Sequence, residues 1–261
     1  MTATTERAPE LDDVSRTSSR GALGNTLLTC GIVASLLYVA ADLVGALIWD
    51  AYRVKTFTIS ELSAIDAPSR PVVPVLMLVF GVLSLAFAVG VLLTGRERGL
   101  RLTGWLLVAV GAVNLAGPFV PMHLRGAETS LTDTLHIAAT AVTSVLLALA
   151  IWFSRKAFDR GFRIYSLITL VVMIGFGALA GSDGPAIAAN DPTPWVGVTE
   201  RICIGAYLLW MIALAGALLC TPATRDEHRE PPPADQTMQS ARIVPSPSAT
   251  RVHRTPASSE R

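Results

Sequence analysis

Three ionisable side chains lie within or beside long apolar stretches of this 261-residue chain. Asp42 lies seven residues before the end of the first stretch (27–49), His136 lies near the start of the fourth (135–153), and Glu200 lies two residues before the sixth (202–220). A charge in a membrane-spanning helix costs at least about 2.5–3.5 kcal/mol to insert, so such a group usually faces other helices or a wet cavity. An imidazole changes charge near neutral pH and could carry a proton, while a carboxylate could bind a cation or serve as a general acid or base.

Helical spacing places each of these residues on a polar face. With neighbours three, four or seven positions apart, the faces are Ser35, Tyr38, Asp42 and Trp49; Asp133, His136, Thr140 and Thr143; and Glu200, Cys203 and Tyr207. Arg201 follows Glu200 and points about 100° away from it around the helix, so the two cannot serve one partner. Arg201 could instead pair with Asp42 and fix the first helix against the sixth, which is the purely structural alternative for this carboxylate.

A short helical turn is predicted in the first loop, over the mouth of the bundle. Residues 58–64 contain Ser60 and Glu61, and prolines within 68–74 would stop any longer helix. Glu61 could point inward from this turn, and His136 could then be an ordinary helix-start histidine that hydrogen-bonds to it. Ser60 could act as a nucleophile activated by His136, but the GxSxG turn is not present and a helix-capping role explains this serine more simply.

A metal site is a further alternative at the start of the fourth helix. Asp133 and His136 are three residues apart on one face, and His123 could supply a third ligand. Zinc requires three or four N, O or S ligands in fixed geometry, and the sequence contains no HxxxH or HExxH pattern. We therefore predict neither a metal nor another cofactor. Ser130 with Asp133 matches instead a capping pattern that would begin this helix, and Thr193 is the corresponding cap expected for the sixth.

The composition indicates the environment of these residues. Apolar residues make up 51% of the chain, charged residues only 16%, and the mean hydropathy is +0.50. Six apolar stretches have the length of about 20 residues that a helix needs to cross a bilayer: 27–49, 72–93, 102–120, 135–153, 164–180 and 202–220. The sequence thus predicts an all-α, polytopic membrane protein, a bundle of six transmembrane helices. The low charged fraction excludes a soluble enzyme, and the net charge of +1 and three scattered cysteines exclude a nucleic-acid binder and a disulfide scaffold.

The positions of lysine and arginine predict the orientation, because these residues stay in the cytoplasm. Sixteen of the 21 lie in the two tails and in the short loops after the second and fourth stretches, so we expect both termini to be cytoplasmic. The longer loops, and with them any site, would then face outward from the cytoplasmic membrane. We predict three regions: a disordered cytoplasmic tail over 1–24, the membrane domain over 25–220, and a disordered Pro/Ser-rich cytoplasmic tail over 221–261.

A combination of residues resembles the signature of a known family: 59–64, 68–71, Asp42, His136 and the Glu200–Arg201 pair. Together they are similar to a six-helix prokaryotic membrane family catalogued as domain of unknown function 998. The resemblance covers about 25–220 and implies a fold and a membrane location but no established activity. One departure is His123, because the resemblance leads us to expect an acidic residue soon after the proline that closes helix three.

We expect a non-enzymatic bundle with an outward-facing polar pocket that binds a small molecule or a lipid head group, or couples transport to a proton. The candidate pocket residues are Asp42, Glu61, His136, Glu200 and Arg201, with Tyr38, Ser60, His123, Asp133 and Tyr207 as secondary candidates. Two alternatives stay open: a membrane-embedded hydrolase or lipid-modifying enzyme that uses this cluster as general acid and base, and a structural or sensor subunit without a ligand. Besides such a ligand, the predicted partner is the lipid bilayer.

Overall fold

The computed structural model describes residues 8–221, which contain seven α-helices and two short 3-10 turns joined by irregular connections. The helices are α1 (Ala8–Ile48), α2 (Val73–Thr94), α3 (Arg98–Ala116), α4 (Leu131–Ser154), α5 (Arg160–Ser182), α6 (Gly184–Ala188) and α7 (Val196–Cys220). Six of them are long and apolar enough to cross a membrane, and the short α6 continues the fifth of these. The predicted all-α fold with six spanning helices is confirmed, and no strand occurs within residues 8–221.

Two helices begin elsewhere than the sequence pattern predicts. α1 begins at Ala8, inside the stretch expected to be a tail, and its membrane-spanning part is Gly21–Ile48. α7 begins after Trp195 without a side-chain cap, so the prediction that Thr193 caps this helix is wrong. The physical reason is that the Thr193 hydroxyl is bonded to another loop, as described below. The other tail predictions concern residues 1–7 and 222–261, which lie outside the described part of the chain.

The spanning helices pack as a ring in the order α1, α2, α3, α4, α5 and α7, and α7 returns to α1. Short connections make α2 and α3, and likewise α4 and α5, antiparallel neighbours. α1 and α2 approach closely at Gly90, where a Cβ atom would lie 2.9 Å from Leu27 Cβ. The centre contains fully buried apolar side chains of α7, among them Trp210, Met211 and Leu214. The outward faces are also rich in apolar side chains, which suits contact with acyl chains.

Three connections meet at one end of the bundle and form a layer that we call the roof. Its members are 49–72, 117–130 and 183–195. The backbone N–H of Ile65 donates to Met122 O at 2.8 Å, which joins the first member to the second. Lys55 Nζ lies 3.7 Å from the ring centroid of Trp195, which joins the first member to the third. The 3-10 turn Ser60–Ser63 confirms the helical turn predicted in the first loop.

Candidate functional site

Asp42 and Arg201 form a two-point ion pair that joins α1 to α7. Arg201 Nε lies 2.9 Å from Asp42 Oδ2, and Arg201 Nη2 lies 2.6 Å from Asp42 Oδ1. Nη2 also donates to the hydroxyl of Tyr52 at 2.7 Å, and Nη1 donates to the carbonyl oxygen of Val54 at 2.8 Å. The guanidinium therefore holds α1, α7 and the roof together, as in the structural alternative for Asp42.

A second two-point ion pair, which the sequence did not predict, lies between Arg125 and Glu61 in the roof. Arg125 Nε is 2.7 Å from Glu61 Oε1, Arg125 Nη2 is 2.8 Å from Glu61 Oε2, and Glu61 is fully buried. The same guanidinium donates to the carbonyl oxygen of Thr56 at 3.0 Å and to the hydroxyl of Thr193 at 3.1 Å. Arg125, which belongs to the second member of the roof, thus contacts both the first and the third. The one sequence signal for it was an arginine kept in a predicted outer loop, against the general distribution of basic residues.

Beneath the roof lies a cavity of about 250 Å³, lined by residues of all six spanning helices. Five of the predicted site residues line it: Tyr38, Ser60, His136, Glu200 and Tyr207. Five others lie outside its lining: Asp42, Glu61, Arg201, His123 and Asp133. The single cluster expected from the sequence is therefore divided, because Arg201 and Arg125 draw the carboxylates of Asp42 and Glu61 into pairs beside and above the cavity.

The polar faces expected on α4 and α7 contribute to two walls of the cavity, although Asp133 of the α4 face lies outside the lining. His136, Thr140 and Thr143 line it from α4, and Glu200, Cys203 and Tyr207 line it from α7. Tyr207 is eleven residues into α7, or about 16 Å at 1.5 Å per residue, so the cavity extends from the roof toward the middle of the bundle. Apolar side chains such as Phe80 and Leu147 form much of the remaining wall.

Glu200 is the one side chain with a formal charge in the cavity lining, among the described residues. Its Oε2 accepts a hydrogen bond from the backbone N–H of Ile59 at 2.5 Å, and its Oε1 accepts one from the Ser60 hydroxyl at 3.4 Å. A carboxylate has about four lone-pair positions, so acceptor capacity is left for a ligand. Ser60 contacts this carboxylate rather than the imidazole of His136, so the nucleophile–base pair considered for a hydrolase is not formed.

His136 is oriented by the backbone of the roof. Its Nδ1 lies 3.1 Å from the carbonyl oxygen of Val120. A carbonyl oxygen can only accept, so Nδ1 carries the proton of the neutral ring and Nε2 is left as an acceptor. The hydrogen bond to Glu61 that was one alternative for His136 is not formed, because both carboxylate oxygens of Glu61 are bound by Arg125 and Nδ1 of His136 lies against the Val120 carbonyl.

Asp133 belongs to the start of α4 rather than to the cavity. It forms the predicted capping box with Ser130, whose backbone N–H donates to Asp133 Oδ2 at 2.8 Å. His123 Nδ1 lies 2.8 Å from the same oxygen, so the imidazole supports the cap. His136 does not join Asp133 and His123, and residues 8–221 contain no group of three or more His, Cys, Asp or Glu placed to hold a metal.

Six apolar helices around a cavity whose lining includes one carboxylate define a multi-pass integral membrane protein. The model of the family described as "Protein of unknown function (DUF998)" matches residues 32–217, more than two thirds of the chain. The chain belongs to this family, as the resemblance in its loop and helix signature implied. Neither a curated protein nor a solved structure matches it.

Proposed function

We propose that this protein binds an amine-bearing organic cation, either a free small molecule or the head group of an amphiphile, in the cavity beside Glu200. The observation that carries the proposal is the charge of the lining, where Glu200 is the single formally charged group among the described residues. The two nearby guanidinium groups, those of Arg125 and Arg201, are each engaged by a carboxylate elsewhere. A cation entering the cavity would therefore meet a carboxylate without a competing positive charge.

The other polar groups of the cavity can accept hydrogen bonds, which favours a ligand that donates them. His136 presents Nε2 as an acceptor, for the reason given above. The hydroxyl groups of Thr140 and Ser144 donate to backbone carbonyl oxygens one turn earlier, at 2.9 and 2.8 Å, which leaves their lone pairs for other donors. Asn114 adds an amide that both donates and accepts. A protonated amine satisfies several of these acceptors at once.

Aromatic side chains in the lining also suit a cation. Tyr38 and Phe80 both line the cavity and pack edge to face with ring centroids 5.0 Å apart. Tyr207 lines it from α7. The face of an aromatic ring attracts a cation, and quaternary ammonium groups are commonly bound by such rings together with a carboxylate.

We propose in addition that the roof faces the outside of the cell and that both termini are cytoplasmic. At the opposite end of the bundle, the two short loops and the first turns of the helices that follow them contain seven basic residues: Arg96, Arg98, Arg101, Arg155, Lys156, Arg160 and Arg163. Basic residues close to the ends of spanning helices favour the cytoplasmic side. On this orientation the cavity lies in the outer half of the membrane.

Thermal unfolding of the purified full-length protein in detergent tests the binding proposal. Choline and ethanolamine are added as chloride salts and compared with sodium chloride at equal ionic strength, and choline is also compared with its uncharged carbon isostere. We expect both cations, choline and ethanolamine, to raise Tm and the isostere to leave it unchanged, because a ligand stabilises the state that it binds. Equal shifts for choline and its isostere, or no shift with either amine, would overturn the proposal.

Variants of the lining sharpen this experiment. Glu200→Gln keeps an acceptor for Ile59 and Ser60 but removes the charge, so we expect the shift to be lost while the protein stays folded. Glu128→Gln makes the same chemical change on an exposed residue of the roof outside the lining and should retain the full shift. His136→Leu should weaken ethanolamine more than choline, because a quaternary ammonium has no N–H to donate.

A further inference from the structure

A second cavity, of about 400 Å³, lies on the side of the bundle between α4 and α5, and we call it the side groove. It is lined by side chains within 144–149 of α4 and 173–178 of α5, together with Cys203. Ser144, Met173 and Cys203 belong to the linings of both cavities. The side groove and the cavity beside Glu200 therefore adjoin.

The side groove opens where the bundle meets hydrocarbon. Val145 of α4 is 60% exposed and Ile174 of α5 is 61% exposed, although both are large apolar residues within spanning helices. Small residues leave the space between the helices, namely Ala148 on α4 and Gly177 and Ala178 on α5. In a bilayer this groove is in contact with acyl chains, because only lipid or protein can surround such faces.

The polarity changes along the path from the roof to the side groove. Ser60, His136 and Glu200 lie at the roof end of the first cavity, whereas the side groove is lined almost entirely by apolar side chains. Such a path matches a molecule with one polar end and one hydrocarbon chain. The roof residues Ser60 and Val120 stand over the polar end, while the small residues leave the lipid side open.

We infer that the ligand is a single-chain amphiphile with a protonated amine head, taken from the bilayer through the side groove. This inference rests on the proposed function and names its substrate class. The ammonium lies beside Glu200 and the hydrocarbon chain lies between α4 and α5. A phosphate ester fits poorly, because among the described residues no lysine or arginine lines either cavity. A phosphate there would lie near a carboxylate without a counter-charge, which is costly in a low-dielectric site.

Photolabelling of the reconstituted protein tests this inference. The full-length protein is placed in phosphatidylcholine vesicles with a long-chain primary amine that carries a diazirine in the middle of its chain. The alcohol with the same chain and the same diazirine is the matched probe without charge. After irradiation, the labelled residues are mapped by peptide mass spectrometry. We expect the amine to label 144–149 and 173–178 well above other lipid-facing positions, and the alcohol to label all lipid-facing positions alike.

Two variants and one matched control test the path itself. Ala148→Phe fills the side groove, and Glu200→Gln removes the partner of the ammonium. With the probe well below saturation, each is expected to lower labelling of the groove by the amine about tenfold, which corresponds to a loss of about 1.4 kcal/mol in binding free energy. Ala141→Phe makes the same substitution at an exposed position of α4 outside both linings and should leave the labelling unchanged.

The outcomes separate this inference from the proposed function. Uniform labelling by the amine in the wild-type protein, or labelling of the groove that survives Ala148→Phe, overturns the path through the side groove. The proposed function survives that result if choline still raises Tm and Glu200→Gln abolishes the rise. Ala148→Phe should itself keep the choline shift, because choline has no long chain to place in the groove, and that shift shows that the variant is folded.

Discussion

Arg125 and Glu61 form a two-point ion pair whose carboxylate is fully buried, with Arg125 Nε 2.7 Å from Glu61 Oε1. The two residues come from different members of the roof, and the same guanidinium reaches Thr193 in the third. A buried charge that loses its partner is strongly destabilising, because its desolvation is no longer compensated. The roof over the cavity therefore depends on this pair.

Replacing Arg125 tests that dependence. We expect Arg125→Met to lower the free energy of unfolding by about 3–5 kcal/mol, and Arg125→Lys to do so by less, because lysine is charged but cannot bind both carboxylate oxygens in a fork. Denaturant or thermal unfolding in detergent measures the effect. Arg53→Met, at an exposed position of the same roof, is the control and should change little. Adding Glu61→Gln to Arg125→Met should restore part of the loss, and a Met variant as stable as the control would contradict the expectation.

Replacing Asp42 tests whether this residue serves the ion pair with Arg201 rather than the cavity beside Glu200. Asp42→Asn removes a charged hydrogen-bond partner of Arg201, and we expect a loss of about 1.5–3 kcal/mol in the free energy of unfolding. Because Asp42 does not line the cavity, this variant should start from a lower Tm and still show a rise with choline, although a smaller one, since Arg201 is left as a cation without its carboxylate partner. Glu200→Gln should instead start from a Tm close to that of the wild type and show no rise with choline. A loss of the choline shift in Asp42→Asn as complete as in Glu200→Gln would mean that Asp42 takes part in binding.

The environment of Tyr52 leads us to expect that the free energy of unfolding falls with rising pH in the alkaline range. This residue lies in the roof, and burial raises the pKa of its hydroxyl above the ordinary range, although the hydrogen bond from Arg201 opposes the shift. The folded state thus keeps the proton to higher pH than the unfolded chain. The contribution of the protonated Tyr52 to the free energy of unfolding is complete below pH about 10, the pKa of a free tyrosine, and is lost as the pH rises further.

Comparison with Tyr52→Phe isolates this effect. The variant loses the hydrogen bond that the hydroxyl donates to Thr58 O at 2.9 Å, so we expect it to be less stable by about 1 kcal/mol at neutral pH. Its stability should then decline less steeply than that of the wild type above pH about 10. Unfolding followed from neutral to alkaline pH provides the measurement, and parallel curves for the two proteins would refute the assignment.

The proposed orientation is tested by labelling introduced cysteines in intact cells. In a background with the three native cysteines replaced by alanine, Ala127→Cys places a thiol in the roof and Lys156→Cys places one in the loop between α4 and α5. We expect a membrane-impermeant maleimide to label Ala127→Cys in intact cells and Lys156→Cys only after lysis. The reverse pattern would place the cavity in the cytoplasmic half of the membrane.

Local features of the sequence were enough to predict the spanning helices and the residues that α4 and α7 share with the cavity lining. A stretch of apolar residues long enough to cross a bilayer has one stable backbone arrangement there, because lipid supplies no hydrogen-bond partner. The helical repeat then decides which residues share a face, and it places His136 with Thr140 and Glu200 with Tyr207, which all line the cavity. The capping box of Ser130 and Asp133 is local in the same sense.

Only the tertiary structure decided which of these groups meet. Arg125 reaches Glu61 across 64 positions of sequence, and the imidazole of His136 lies against the backbone of Val120 instead of that carboxylate. The side groove likewise depends on how far α4 stands from α5, which no residue spacing within one helix records. Helix periodicity is a property of neighbouring residues along the chain, whereas ion pairs and cavities depend on distances between segments that are set by the packing of the whole bundle.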